Sequence, residues 1–100
     1  MKLYIDTSDS KEIMIKVDDV EYKTSSVEEK SQKLLPFIIE VLDKKSMTVD
    51  DIKEIEVNTG PGSFTGIRIG MSVAGALGWA LDIPVNGKNI KDGTMPDINY

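Results

Sequence analysis

Residues 54–70 read EIEVNTGPGSFTGIRIG, and the order of their properties decides the fold. Ile55 and Val57 alternate with Glu54 and Glu56, as in a strand with one buried face, before Asn58-Thr59-Gly60-Pro61-Gly62 supplies a turn. A helix is expected to start near Ser63 to Gly66 and to reach Leu81, because Ile67, Gly70, Met71, Ala74, Leu77, Gly78 and Leu81 share a face. Asp82-Ile83-Pro84 ends it, since proline cannot continue the hydrogen-bond ladder. Strand, turn and long helix are the first half of a crossover, which normally returns right-handed to a parallel strand, here expected at Pro84-Val85.

Towards the N-terminus, Leu3-Tyr4-Ile5 is a short strand ended by the polar turn Asp6 to Ser10. Ile13, Ile15 and Val17 alternate with polar neighbours, Asp18-Asp19 turns the chain, and Val20, Tyr22 and Thr24 continue the alternation: an antiparallel meander. Ser25 and Ser26 each have a glutamate three residues on, so a capping box is available in either register. Val27, Leu34, Leu35, Ile38, Ile39, Val41 and Leu42 then recur at helical spacing, with Pro36 expected to kink one helix rather than divide it. Thr48 to Asp51 offers one further capped turn. Residues 1–87 form the expected lobe and 88–100 a short polar tail.

One hundred residues, 40% hydrophobic and 29% charged, suit one domain with a thin core. No cysteine or histidine is present, which removes disulfides, thiolate metal sites, a cysteine nucleophile and a histidine base. The net charge of −5 disfavours indiscriminate binding to a phosphate backbone, so direct RNA contact is not expected. Arg68 and several glycines interrupt the apolar stretch from Val57 to Leu81, so no membrane span is expected, and no secretory signal follows Met1; the cytoplasm is the expected compartment.

Three features could carry chemistry. Asp6-Thr7-Ser8 puts a carboxylate and two hydroxyls in a turn, suited either to a magnesium-bound phosphate or to satisfying the turn's own amides. The segment holding Gly60, Pro61, Gly62, Ser63, Thr65, Gly66 and Arg68 lies where helix amides attract anions, yet it lacks the spacing and the lysine of a phosphate loop. Its other reading is a rigid elbow with Ser63 or Thr65 as cap, in which valine at Gly62 would be refused if that residue uses a positive φ. Arg68, the only arginine, could pair with Asp6 across adjacent strands or serve a partner surface. Gly70, Ala74 and Gly78 make a low-profile stripe that permits close packing, either on the first helix or on a second chain.

The segments LYIDTS (3–8), EKSQKLLP (29–36), GPGSFTGIRIG (60–70) and ALGWALDIPV (76–85) together resemble the N-terminal lobe of the TsaB (YeaZ-like) family, which serves bacterial tRNA threonylcarbamoyladenosine biosynthesis. The glycine-rich segment is the specific part. The resemblance implies an α/β fold, a single actin-like (ribonuclease H-like) lobe with a mixed five-stranded sheet, an antiparallel three-stranded front and two main helices. It also implies a second lobe in the complete family protein; a piece of a longer protein and a natural one-lobe version both fit.

By the same resemblance the chain would be a non-catalytic accessory subunit of a TsaD-like catalytic subunit, with a TsaE-like ATPase completing the assembly that modifies adenosine 37 of tRNA. The resemblance implies no catalytic residues and no metal site on this chain. ATP or ADP and magnesium would belong only to the assembled complex, tRNA contact would be indirect, and a homodimer is a further possibility. The family's contact helices correspond to residues 26–45 and 63–81, giving a candidate interface of Leu34, Ile38, Leu42, Gly70, Ala74 and Gly78. Lys30 stands where the family commonly has histidine. The competing reading is a nucleotide-binding or phosphotransfer half-domain, with Asp6, Thr7 and the 60–68 turn facing phosphate.

Overall fold

The computed structural model describes residues 1–26 and 29–89. Strands β1 (Lys2–Asp6), β2 (Glu12–Val17) and β3 (Val20–Ser25) form the expected meander, with Leu3 opposite Val17 and Ile15 opposite Tyr22. Helix α1 (Lys30–Lys44) and a 3-10 turn (Val49–Asp51) lead to β4 (Glu54–Val57), which pairs in parallel with β1. Helix α2 (Phe64–Leu81) crosses to β5 (Pro84–Val85), parallel to β4, and β6 (Lys88–Asn89) folds back on β5. The sheet order is β3-β2-β1-β4-β5-β6.

The α/β class is as read from the sequence, but among the described residues the sheet has six strands rather than five. Asn86 and Gly87 both take positive φ, 50° and 79°, which is what a two-residue hairpin loop needs. The pairing Val85 to Lys88 therefore carries the sheet past residue 87, where the polar tail was expected to begin. Asn86 reinforces this corner. Its side-chain oxygen accepts from the Val57 amide at 2.8 Å, and its side-chain nitrogen donates to the Val57 carbonyl at 3.1 Å. The rest of the expected tail, from residue 90, lies outside the described residues.

Strand alternation sends Leu3, Ile5, Ile13, Ile15, Ile55, Val57 and Val85 to one face of the sheet, where Leu34, Ile38 and Leu42 of α1 and Ile67, Met71 and Ala74 of α2 cover them. The opposite face is polar: Lys2 pairs with Glu56 at 3.3 Å, and the Lys16 ammonium lies 5.5 Å from the Tyr4 ring centre. Partial burial, then the Asp6 and Glu56 carboxylates, raise the Tyr4 phenol above its ordinary value.

Helix α1 runs unbroken through Pro36, but it begins later than expected. Its cap is Glu29, in a left-handed conformation with no side-chain cap bond, so the Ser26–Glu29 box does not form; Glu28 of the Ser25 box lies outside the described residues. The buried Ser26 instead uses its amide on the Lys11 carbonyl at 2.9 Å. In the 3-10 turn the expected Asp51 contact is present, its carboxylate accepting from the Thr48 amide at 2.8 Å. Helix α2 is long and apolar enough to cross a membrane by length and composition, with mean hydropathy 1.2. Its glycine-rich side, Gly66, Gly70, Gly75 and Gly78, is buried in the domain.

Candidate functional site

Where β1 and β4 end side by side, the Asp6–Ser8 turn and the 58–66 segment lock together. Asp6 Oδ1 accepts from the Ser8 amide at 2.9 Å and from the Ser8 hydroxyl at 2.5 Å. The Asn58 side chain donates to Ser8 Oγ at 3.2 Å and accepts from the Gly60 amide at 3.0 Å, while the Ser63 amide donates to the Ser8 carbonyl at 2.8 Å. Ser63 caps α2 by accepting from the Gly66 amide at 3.2 Å. Thr7, fully buried, donates its hydroxyl to the Gly66 carbonyl at 2.5 Å. These bonds make the segment a structural elbow.

The elbow's glycines are needed mainly for close approach. A Cβ on Gly62 would lie 2.5 Å from Ser8 Cβ, and Gly62 is not at positive φ; that conformation belongs to Gly60, at φ 120°, followed by a cis bond to Pro61. Valine at Gly62 would thus be refused for lack of space, not for its backbone angle. Arg68 does not pair with Asp6 either. Its guanidinium is exposed, 5.1 Å from the Phe64 ring centre, and among the described residues it makes no ion pair.

Beside the elbow, the first turns of α1 and α2 border a cavity of about 370 Å³ lined by Ser10, Glu29, Lys30, Ser31, Ser63 and Thr65. Lys30 is buried and donates to the Asp9 carbonyl. Desolvation pushes its ammonium below the ordinary lysine value, and the Asp9, Asp6 and Glu12 carboxylates oppose that shift. Among the described residues, no group of three His, Cys, Asp or Glu side chains is placed to hold a metal ion.

The six residues expected at a partner interface are all buried. Leu34 and Ile38 are 0% exposed and Leu42 is 1% exposed, because they are the residues of α1 that cover the sheet. Gly70, Ala74 and Gly78 are buried as well: a Cβ on Gly70 would lie 3.4 Å from Val57 Cγ2 and 3.5 Å from Ile5 Cγ2, so the small-residue side lets α2 approach its own sheet. None of the six can meet a partner without unfolding the domain. The exposed apolar residues lie one residue round each helix. Leu35 and Ile39 of α1 are 38% and 45% exposed. Leu35, Val73, Ala76, Leu77 and Ala80, with Ser72, line a groove of about 350 Å³ between the helices. It adjoins a cleft of about 430 Å³ lined by Ser31, Phe64, Arg68, Ile69, Ser72 and Val73.

The sequence signal for this surface was present: α2 is apolar on more of its circumference than one packed face requires, which marks either a fully enclosed helix or one with a second contact. A soluble domain's outer helix face is ordinarily charged, and here Ala76, Trp79 and Ala80 are exposed on α2 instead.

Comparison with known proteins agrees with this architecture. The family described as TsaD, tRNA N6-adenosine threonylcarbamoyltransferase, matches residues 24–93. The chain is 39% identical over 66 residues to the tRNA threonylcarbamoyladenosine biosynthesis protein TsaB of Bacillus subtilis, an alignment covering 66% of this chain and 29% of that protein. It is 36% identical over 59 residues to TsaB of Escherichia coli, covering 59% of this chain and 26% of that protein. The solved structure of YeaZ from Pseudomonas aeruginosa superposes with a TM-score of 0.69 at 30% identity, covering 84% of this chain and 40% of that one. The chain thus spans well under half the length of these relatives. A TsaD-type lobe across most of the sequence, joined to TsaB and YeaZ likeness in both sequence and fold, places this chain in the TsaB/YeaZ-like family.

Proposed function

We propose that this chain is a non-catalytic accessory subunit in tRNA threonylcarbamoyladenosine biosynthesis, docking a TsaD-like catalytic subunit through the exposed face of α1 and α2. The observation that carries this reading is the groove lined by Leu35, Val73, Ala76, Leu77 and Ala80, an apolar surface between two helices already anchored on the sheet. Covering a half-exposed Leu35 or Ile39 recovers roughly 1 kcal/mol each, and a rigid helix pair loses little entropy in doing so.

A TsaE-like ATPase completes the proposed assembly, which binds ATP or ADP with magnesium, and tRNA is contacted through the partners in keeping with the chain's net charge of −5. The proposed compartment is the cytoplasm. The nucleotide-binding alternative draws on the Asp6–Ser8 turn, whose groups are engaged by one another and by the elbow. Calorimetric titration tests the choice. Saturable binding to a TsaD-like subunit that is lost in Ala76→Arg supports docking, and micromolar magnesium-dependent nucleotide binding by the chain alone supports the alternative.

A further inference from the structure

We infer that Arg68 determines which partner the helix face accepts, by taking a carboxylate from the partner's contact helix at the end of an otherwise apolar groove. This rests on the docking reading above. Arg68 is the only charged residue in α2 and the only arginine in the chain. It is exposed, and among the described residues it has neither an ion pair nor a hydrogen bond. The Phe64 ring, 5.1 Å away, supports the guanidinium and leaves donors for a bidentate contact. Its place in the second turn of α2, near the positive end of the helix dipole, brings it no favourable local partner.

Among the described residues no carboxylate pairs with it. Helix α2 contains none, Glu40 of α1 pairs with Lys44 at 3.3 Å, and Asp6 is bound by Ser8. Around Arg68 the cleft presents Ile69 and Val73, so a partner that covers this end removes water from the guanidinium. An uncharged partner would leave a desolvated, unpaired cation, whereas a carboxylate there converts the cost into attraction and excludes wrong partners. The linings of groove and cleft themselves supply no carboxylate for Arg68.

The test is calorimetry of the chain with its TsaD-like subunit at low and high salt, using wild type, Arg68→Lys and Arg68→Glu, with thermal melts to establish folding. Arg68→Glu is expected to weaken binding about thirtyfold or more, Arg68→Lys less, because lysine keeps the charge and loses the fork. One Asp→Lys or Glu→Lys change on the partner's contact helices is expected to restore Arg68→Glu binding about tenfold while weakening wild type. Absence of wild-type binding overturns the docking reading and this inference with it. Wild-type binding that Arg68→Glu leaves within twofold, or that no partner charge reversal restores, overturns the Arg68 assignment alone. Wild-type self-association abolished by Arg68→Glu would make a second copy the acceptor and also overturn it.

Discussion

Replacing Gly66 with alanine tests the elbow at its tightest point. In most helices this change stabilises by about 1 kcal/mol. Here the new Cβ would fall on the carbonyl oxygen of Thr7, with the carbonyl carbon 3.2 Å away. The obstacle is backbone at the end of β1, in a residue that is fully buried, so no rotamer change relieves it. Overpacking of this kind costs about 1–3 kcal/mol or more, and displacing α2 also breaks the Thr7–Gly66 hydrogen bond, worth a further ~1–3 kcal/mol with the hydroxyl left buried. After subtracting the propensity gain, a net loss of about 3 kcal/mol is expected, a fall in melting temperature of roughly 12–24 °C for a domain of this size.

The assay is thermal unfolding by circular dichroism with Thr7→Ala as second perturbation. Because the clash at Gly66 is with backbone, Thr7→Ala should not rescue Gly66→Ala. At Gly70 a Cβ meets the Thr7 hydroxyl, so Thr7→Ala should partly rescue Gly70→Ala. A Gly66→Ala protein that melts within about 3 °C of wild type, or that Thr7→Ala rescues, refutes the argument.

Ala74→Arg should unfold the domain, since Ala74 is 0% exposed on the sheet side of α2, whereas Ala76→Arg one residue-face away should retain the wild-type far-ultraviolet spectrum. Asn86→Ala removes both side-chain bonds to the Val57 backbone and should cost about 1–3 kcal/mol in urea unfolding, with amide exchange accelerated at Val57. Lys30 releases its proton more readily folded than unfolded, so its contribution to stability rises with pH from its lowered folded value towards 10.5; Lys30→Met should flatten that rise relative to wild type. The raised Tyr4 phenol acts in the opposite sense: its contribution is intact below pH 10 and is lost as pH climbs through the folded value, so Tyr4→Phe should soften alkaline denaturation.

Much of the fold was legible because single periodicities dominated. The alternation of Ile13, Ile15 and Val17, and of Ile55 and Val57, fixed both the strands and their buried face. The start of α1 was not, because the available serine–glutamate pairs suggested local caps, while the Ser26 amide is drawn to the carbonyl of Lys11, just before β2, by a contact that spacing does not report. The sixth strand lies beyond the expected lobe because Asn86-Gly87, a strong hairpin signal, turns the chain back onto β5. The six expected interface residues are buried for a sharper reason. On α1 the Leu34–Ile38–Leu42 and Leu35–Ile39 series are equally apolar, and only the packed sheet decides which points inward. Likewise, glycines at helical spacing report a close approach without saying to what.

The account turns on whether the outward series is a docking surface. The most direct measurement is calorimetric titration of wild type and Ala76→Arg against a purified TsaD-like catalytic subunit, with both chains first shown to melt alike. The expected result is saturable wild-type binding and a loss of about a hundredfold or more in the variant, since an arginine in the groove both obstructs close packing and buries an unpaired charge. Equal affinity of the two folded proteins for that subunit would contradict the account and put any contact on another surface.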